Sequence, residues 1–444
     1  MSITSHNHQL LRISGICLIG LLALAGCNRS SLNAVKFQVL PGLNQPVRVS
    51  SGDADAAEPA IAATPDGSVY VAWVNHGPTT QADVMIARFD ANGQMQGSPV
   101  RVNSQPGAAT AWRGDPPTVA VAPDQTVYVG WTARAGSEAH HATDLYLSSS
   151  NDHGRTFAAQ VKVNDDIKPA VHGMHSLAIG NNGRVYMAWL DERNITPMPM
   201  KETKMDPSTK AHHMDSNREL YFAASTDGGR TFTRNERVAT DVCPCCKTAM
   251  AIKNDGRLFV SWRQVLPGDL RHIAVASSID QGKTFTPPKI VSDDQWMIAG
   301  CPVSGSSLSL DNEGNLRVLW YSEGKNGETG LYWTESKDNG LSFGPRVLVA
   351  GGSTRGTPVL AGADKNIAAV WQGTENKIAK VITTGFSSDP PRSISQFVIA
   401  SGELPAAAQT REHLFVAYIA KDEQRQNVWI ISAARGSLQA PGQE

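Results

Sequence analysis

An octapeptide, Ser-x-Asp-x-Gly-x-Thr/Ser-Phe, occurs four times in this chain, at residues 150–157, 225–232, 278–285 and 336–343. A unit that recurs must stack on its neighbours, because alone it cannot bury its own apolar face. The phrase also has a local logic. Asp152, Asp227, Asp280 and Asp338 can accept backbone hydrogens inside a tight turn, the glycine two residues on supplies a positive φ, and the final Phe packs beneath. The octapeptide therefore reads as a hairpin corner that carries structure.

A second repeat runs beside it: a turn with Asp or Asn, usually with Gly, then a β-rich run that ends in an aromatic. The aromatics are Trp73, Trp131, Trp189, Trp262, Trp320, Trp371 and, in a worn copy, Tyr418, spaced 58, 58, 73, 58, 51 and 47 residues apart. Each copy parses into four short strands; in the first these are Pro59–Ala63, Ser68–Trp73, Val84–Phe89 and Val100–Val102. Alternation such as Val127-Tyr128-Val129-Gly130-Trp131 supports strands, and nothing reads as a long amphipathic helix. Seven four-stranded units predict an all-β fold, a seven-bladed β-propeller of antiparallel blades, with six blades as the alternative. The seventh copy lacks a fourth strand and the chain begins with a spare one, Val47-Arg48-Val49, so the N-terminal strand is expected to close the ring.

The first 27 residues read as an address. Basic and polar residues to Arg12 precede an apolar stretch, Ile13 to Ala25, too short to span a bilayer. Leu24-Ala25-Gly26-Cys27 resembles the lipobox of bacterial lipoproteins, which implies lipidation of Cys27; Asn28 resembles outer-membrane sorting. The expected parts are a signal peptide (1–26), a lipidated tether (27–36), the propeller (37–436) and a flexible tail (437–444), in an exported, periplasm-facing outer-membrane lipoprotein. The net charge of −1 gives no nucleic-acid footprint, so the expected partners are the membrane through its lipid and a protein or glycan ligand.

The octapeptide resembles the Asp box of the sialidase-like (BNR-repeat) propellers, over most of the chain. That resemblance implies the propeller and is a weak guide to chemistry, since one fold hosts many functions. In sialidases an arginine ahead of the first Asp-Gly turn binds the substrate carboxylate; here the matching stretch is Ala57-Glu58-Pro59, with alanine in its place. The other parts the resemblance would require have only loose candidates: Arg113, Arg263 and Arg355 for the arginines, Tyr321 with Glu323 for the nucleophile pair, and Asp115 or Asp191 for the acid. Glycoside hydrolysis, exo-α-sialidase-like, is therefore the alternative function; Glu58, Asp115, Asp191 and Glu323 are the carboxylates to measure.

Propeller topology puts all the Asp boxes and Asp-Gly turns on one face. The opposite face collects His76, His140, His141, His172, His175, His212, His213 and His272, a Met-rich loop between Asp191 and Arg218, and the crossovers that hold His172-Gly173-Met174-His175, Cys243-Pro244-Cys245-Cys246 and Cys301. Thiolate, imidazole and thioether together suit copper or another soft metal, whereas zinc would take the Cys and His but not favour Met. Four exported cysteines equally suit two disulfides, or a redox-active one. The expectation is a non-catalytic binding or assembly protein working from this face; a purely structural protein-binding module with paired cysteines is a third reading.

Overall fold

A computed structural model of the chain describes residues 37–52, 54–77, 81–110, 114–135, 142–195, 218–298, 300–362, 367–386, 395–422 and 425–438. The signal segment, Cys27 and the tether, the Met-rich loop, Arg113, His140, His141, His212 and His213 lie outside these residues.

The described residues form seven four-stranded antiparallel units in chain order. Units three and four are joined by one further pair, Val242 with Gln264. The first strands of the units are Asp55–Ala63, Thr118–Val121, His172–Ile179, Ala249–Ile252, Ser306–Leu310, Arg355–Ala361 and Glu403–Gln409. Each touches the next, and the seventh touches the first, so they line a central channel. Blade seven is completed by Val47–Arg48, with Val47 opposite Ile430 and Arg48 opposite Trp429, which is the expected closure. Two features were not expected. Gln38–Val39 adds a parallel fifth strand to blade six, against Phe397 and Val398. Leu438, expected in a flexible tail from 437, is instead buried in the core between blades six and seven.

Among the described residues the apolar interior forms seven clusters, each shared by two adjacent blades. This is the physical reason for the repeat: a blade buries its faces only against neighbours. Trp73, Trp189, Trp262 and Trp320 are wholly buried, each withdrawing roughly 4–6 kcal/mol worth of apolar surface from water. A buried indole N–H needs an acceptor. Trp73, Trp189 and Trp262 find it two residues on, at Asn75, Asp191 and Gln264, at 2.7–2.8 Å.

The Asp boxes are self-contained corners. Asp152 accepts from the Arg155 and Thr156 amides and the Thr156 and Ser150 hydroxyls, while Ser150 Oγ accepts the Gly154 amide at 2.8 Å. Asp227 repeats this scheme, and Asp280 and Asp338 keep its Thr284 and Ser342 amide and hydroxyl bonds and the serine contacts. Hydrogen bonds from threonine or serine hold all four carboxyls well below the usual carboxylate range, Asp280 and Asp338 at about 2. At Gly282 a side chain would start 2.0 Å from the Phe222 ring of the preceding blade, so only glycine lets the corner dock there. Contacts such as Lys253 with Asn339 gather the Asp-Gly turns and Asp boxes on one face.

Candidate functional site

At the other face the crossovers enter the first strands through a collar of unusual backbone. Glu58, Gly114, Met174, Val303, Gly356 and Leu404, one from each blade except the fourth, all have positive φ, from 47° at Val303 to 106° at Gly114. The ladder slips beside four of them, between Ala57 and Ala60, Gly173 and Ser176, Arg355 and Val359, and Glu403 and Ala406. These bulges turn each incoming chain sharply into the channel. For the four non-glycine residues the conformation costs about 1–2 kcal/mol apiece. All six line a cavity of about 340 Å³, and Cys245 and Lys247 line it from blade four.

The cysteines converge at this rim. Cys243 and Cys246 are fully buried, with sulfurs 3.4 Å apart. Cys245 is 9% exposed, and Cys301, entering blade five, is exposed. The Cys245 and Cys301 sulfurs are in direct contact, with Cα atoms 6.2 Å apart, inside the span a disulfide bridges. The sulfurs of Cys243, Cys245 and Cys301 all lie within 4.8 Å of one another. Met174 packs in the same apolar cluster.

Two buried arginines frame the sulfurs. Arg271 donates from Nη1 to Cys243 Sγ at 3.2 Å. The Cys246 hydrogen bond, and then the charges of Arg271 and Arg263, hold the Cys243 thiol below its ordinary range against burial; burial pushes Cys246 up. Sequence reasoning missed Arg271 and also Lys247, whose ammonium is lowered to about 8 by burial, with Asp115 opposing the shift.

The histidine candidates do not join this cluster. His172 is wholly buried, its Nδ1 against the Thr143 carbonyl and its Nε2 3.1 Å from Asp166 and 3.3 Å from Asp191. Burial opposes its charge, but the two carboxylates overcome it and raise the imidazolium to about 9. An imidazolium held between two carboxylates has no lone pair for a metal. His175 is also wholly buried, 3.8 Å from Asp115, and burial lowers it to about 4. His76 pairs with Glu58 at 2.6 Å.

The sialidase candidates are dispersed. Arg263 is fully buried, donating to the carbonyls of Ser304, Tyr321 and Arg271 with its guanidinium 4.8 Å over Trp296, so it has no face for a substrate carboxylate. Arg355 is exposed at the rim. Asp191, expected as an acid, instead caps the Trp189 indole and binds Arg193 and His172. Asp115 is buried and accepts from Thr132 and the Met174 amide. Tyr321 does donate to Glu323, and burial with that carboxylate raises its hydroxyl to about 12.

No family model and no curated protein matches this chain. Solved structures do. An ulvan lyase of polysaccharide lyase family PL25 superposes with a TM-score of 0.55 at 12% identity, covering 87% of this chain and 95% of its own. The polysaccharide lyase Uly1 gives 0.51 at 12% identity, over 92% and 94%. NanB gives 0.50 at 10% identity, over 90% and 94%; a further NanB structure, at 0.48, is described as a sialidase of Streptococcus pneumoniae. At such identities the likeness concerns architecture: the chain has a sialidase-like β fold.

Proposed function

We propose that this chain is an exported lipoprotein, anchored to the outer membrane through Cys27, whose propeller is a binding protein working from the channel mouth, with Cu(I) as the ligand of its cysteine cluster. The observation that carries the reading is the approach of three sulfurs to within 4.8 Å of one another, with Cys246 a further 3.4 Å from Cys243. Metal–sulfur bonds of about 2.3 Å place tetrahedral sulfurs about 3.8 Å apart, so a small closure of the cluster would surround one ion. No histidine falls within the group of sulfurs, so the donors are all sulfur, which favours a soft ion over a harder one. Cys245 and Cys301 are assigned a disulfide when oxidised, so the site binds only in the reduced protein.

The test is anaerobic titration of fully reduced protein with Cu(I) against a colorimetric chelator. One ion per chain should resist the chelator, with a loss of at least about tenfold in affinity in Cys301→Ser and none in His172→Gln. If reduced wild-type protein yields its copper as readily as a Cys243→Ser/Cys246→Ser variant, the metal reading falls. Cys27→Ala should move the protein from the membrane to the soluble fraction.

Glycoside hydrolysis has one observation in its favour, the Tyr321–Glu323 hydrogen bond. Ala57 and the enclosed Arg263 weigh against it, and no turnover of sialosides is expected.

A further inference from the structure

The cluster contains more sulfur than a structural cross-link needs. A disulfide between the crossovers into blades four and five would be complete with Cys245 and Cys301, 56 residues apart. Behind it, and in reach of it, stands a second pair at Cys-x-x-Cys spacing, Cys243 and Cys246. One pair faces the cavity and solvent; the other is fully buried. Arg271, at 3.2 Å from Cys243 Sγ, supplies the positive charge that stabilises a thiolate. No side chain separates the pairs, since the three sulfurs are mutually within 4.8 Å.

We propose that the four cysteines form a two-stage thiol–disulfide relay, in which the buried dithiol delivers two electrons through Cys245–Cys301 to a disulfide-bearing peptide or small molecule at the channel mouth. It rests on the channel-mouth reading above and on the Cys245–Cys301 disulfide, not on any ion. The Cys243 thiolate attacks Cys301 Sγ, the Cys245–Cys301 bond breaks, and Cys245 leaves as a thiolate. Cys246, 3.4 Å from Cys243, then attacks Cys243 Sγ and expels Cys301. The buried pair is now the disulfide and the rim pair the dithiol. Exposed Cys301 attacks the external disulfide, releasing one thiol; Cys245 resolves the mixed disulfide, releasing the second and restoring the rim disulfide. The external disulfide is reduced, the buried dithiol oxidised, and the two protons of the buried pair end on the released thiols through solvent.

The experiment uses the folded protein in the presence of metal chelators, with the rim pair oxidised and the buried pair reduced, as verified by differential alkylation. The probe is 5,5′-dithiobis(2-nitrobenzoate). Two equivalents of thionitrobenzoate per chain should appear, and peptide mapping should then show a Cys243–Cys246 disulfide. Cys245→Ser/Cys301→Ser, which removes both rim sulfurs, should slow release by at least about tenfold, although the buried thiols remain. Cys246→Ser should stall as a Cys243–Cys301 cross-link. Retention of a free Cys243/Cys246 dithiol in treated wild-type protein would overturn the relay, and so would undiminished release by Cys245→Ser/Cys301→Ser. Because chelators are present and copper titration uses fully reduced protein, relay and metal site can fail independently.

Discussion

His172 offers a quantitative check on the buried polar network of blade three. Its imidazolium sits between Asp166 and Asp191, with Arg193 contacting both carboxylates, Asp165 beyond Arg193, and the Thr143 carbonyl on the other ring nitrogen. Its value rises from 6.5 to about 9 on folding. At 1.36 kcal/mol per unit, that corresponds to about 3 kcal/mol of stability. A raised value means that this contribution is complete below pH 6.5 and is lost as the pH climbs through 9. For a propeller of about 400 residues, unfolding entropy near 2.1 cal/mol/K per residue converts 3 kcal/mol into about 4 °C of Tm. Thermal melts of wild type and His172→Gln at intervals from pH 6 to pH 10 would measure it, the variant cancelling every other titration. The gap in Tm should shrink by about 4 °C between the two ends. A gap that stays constant over that range would show that His172 is not a buried cation and that its ring keeps a lone pair for a metal.

Two further outcomes follow from the buried and turn networks. Arg263→Lys cannot reach the Ser304, Tyr321 and Arg271 carbonyls together, so denaturant unfolding should show a loss of about 3–5 kcal/mol; an unchanged midpoint would return Arg263 to the candidates for ligand binding. Asp227→Ala removes the acceptor of the Arg230 and Thr231 amides and the Thr231 hydroxyl, and should lower the Tm while leaving copper stoichiometry unchanged.

The ring was legible because its determinants are local. Turn residues at fixed offsets from a buried aromatic mark every blade, and a missing fourth strand in the last copy, set against the spare Val47-Arg48, fixes the closure. The parallel strand Gln38–Val39 left no trace, since two residues carry no periodicity. The convergence of Cys301 with the Cys243–Cys246 crossover follows from adjacent blades opening on one channel, so residue type and topology sufficed to find it. Partner choice did not follow. His172 and Asp191 share a strand pair, in direct register, yet neither spacing nor composition says that the imidazole turns from the sulfurs toward two carboxylates. Nor does propensity hint that Glu58, Met174, Val303 and Leu404 adopt left-handed backbone; the curvature of seven strands around one axis imposes it.

The pairing of Val47 with Ile430 has a consequence in time. Synthesis is vectorial: the strand that completes blade seven is made before the first blade, and its partner, Arg425–Ala434, only after the sixth. Blades one to six can collapse as they emerge, each on its predecessor, but Val69, Trp73 and Phe89 wait for Phe415 and Ile430 to cover them. A nascent chain truncated before residue 413 is thus a spiral with an uncovered apolar end, and a protease or chaperone would read the strands between residues 413 and 434 as the difference between an unfinished ring and a closed one.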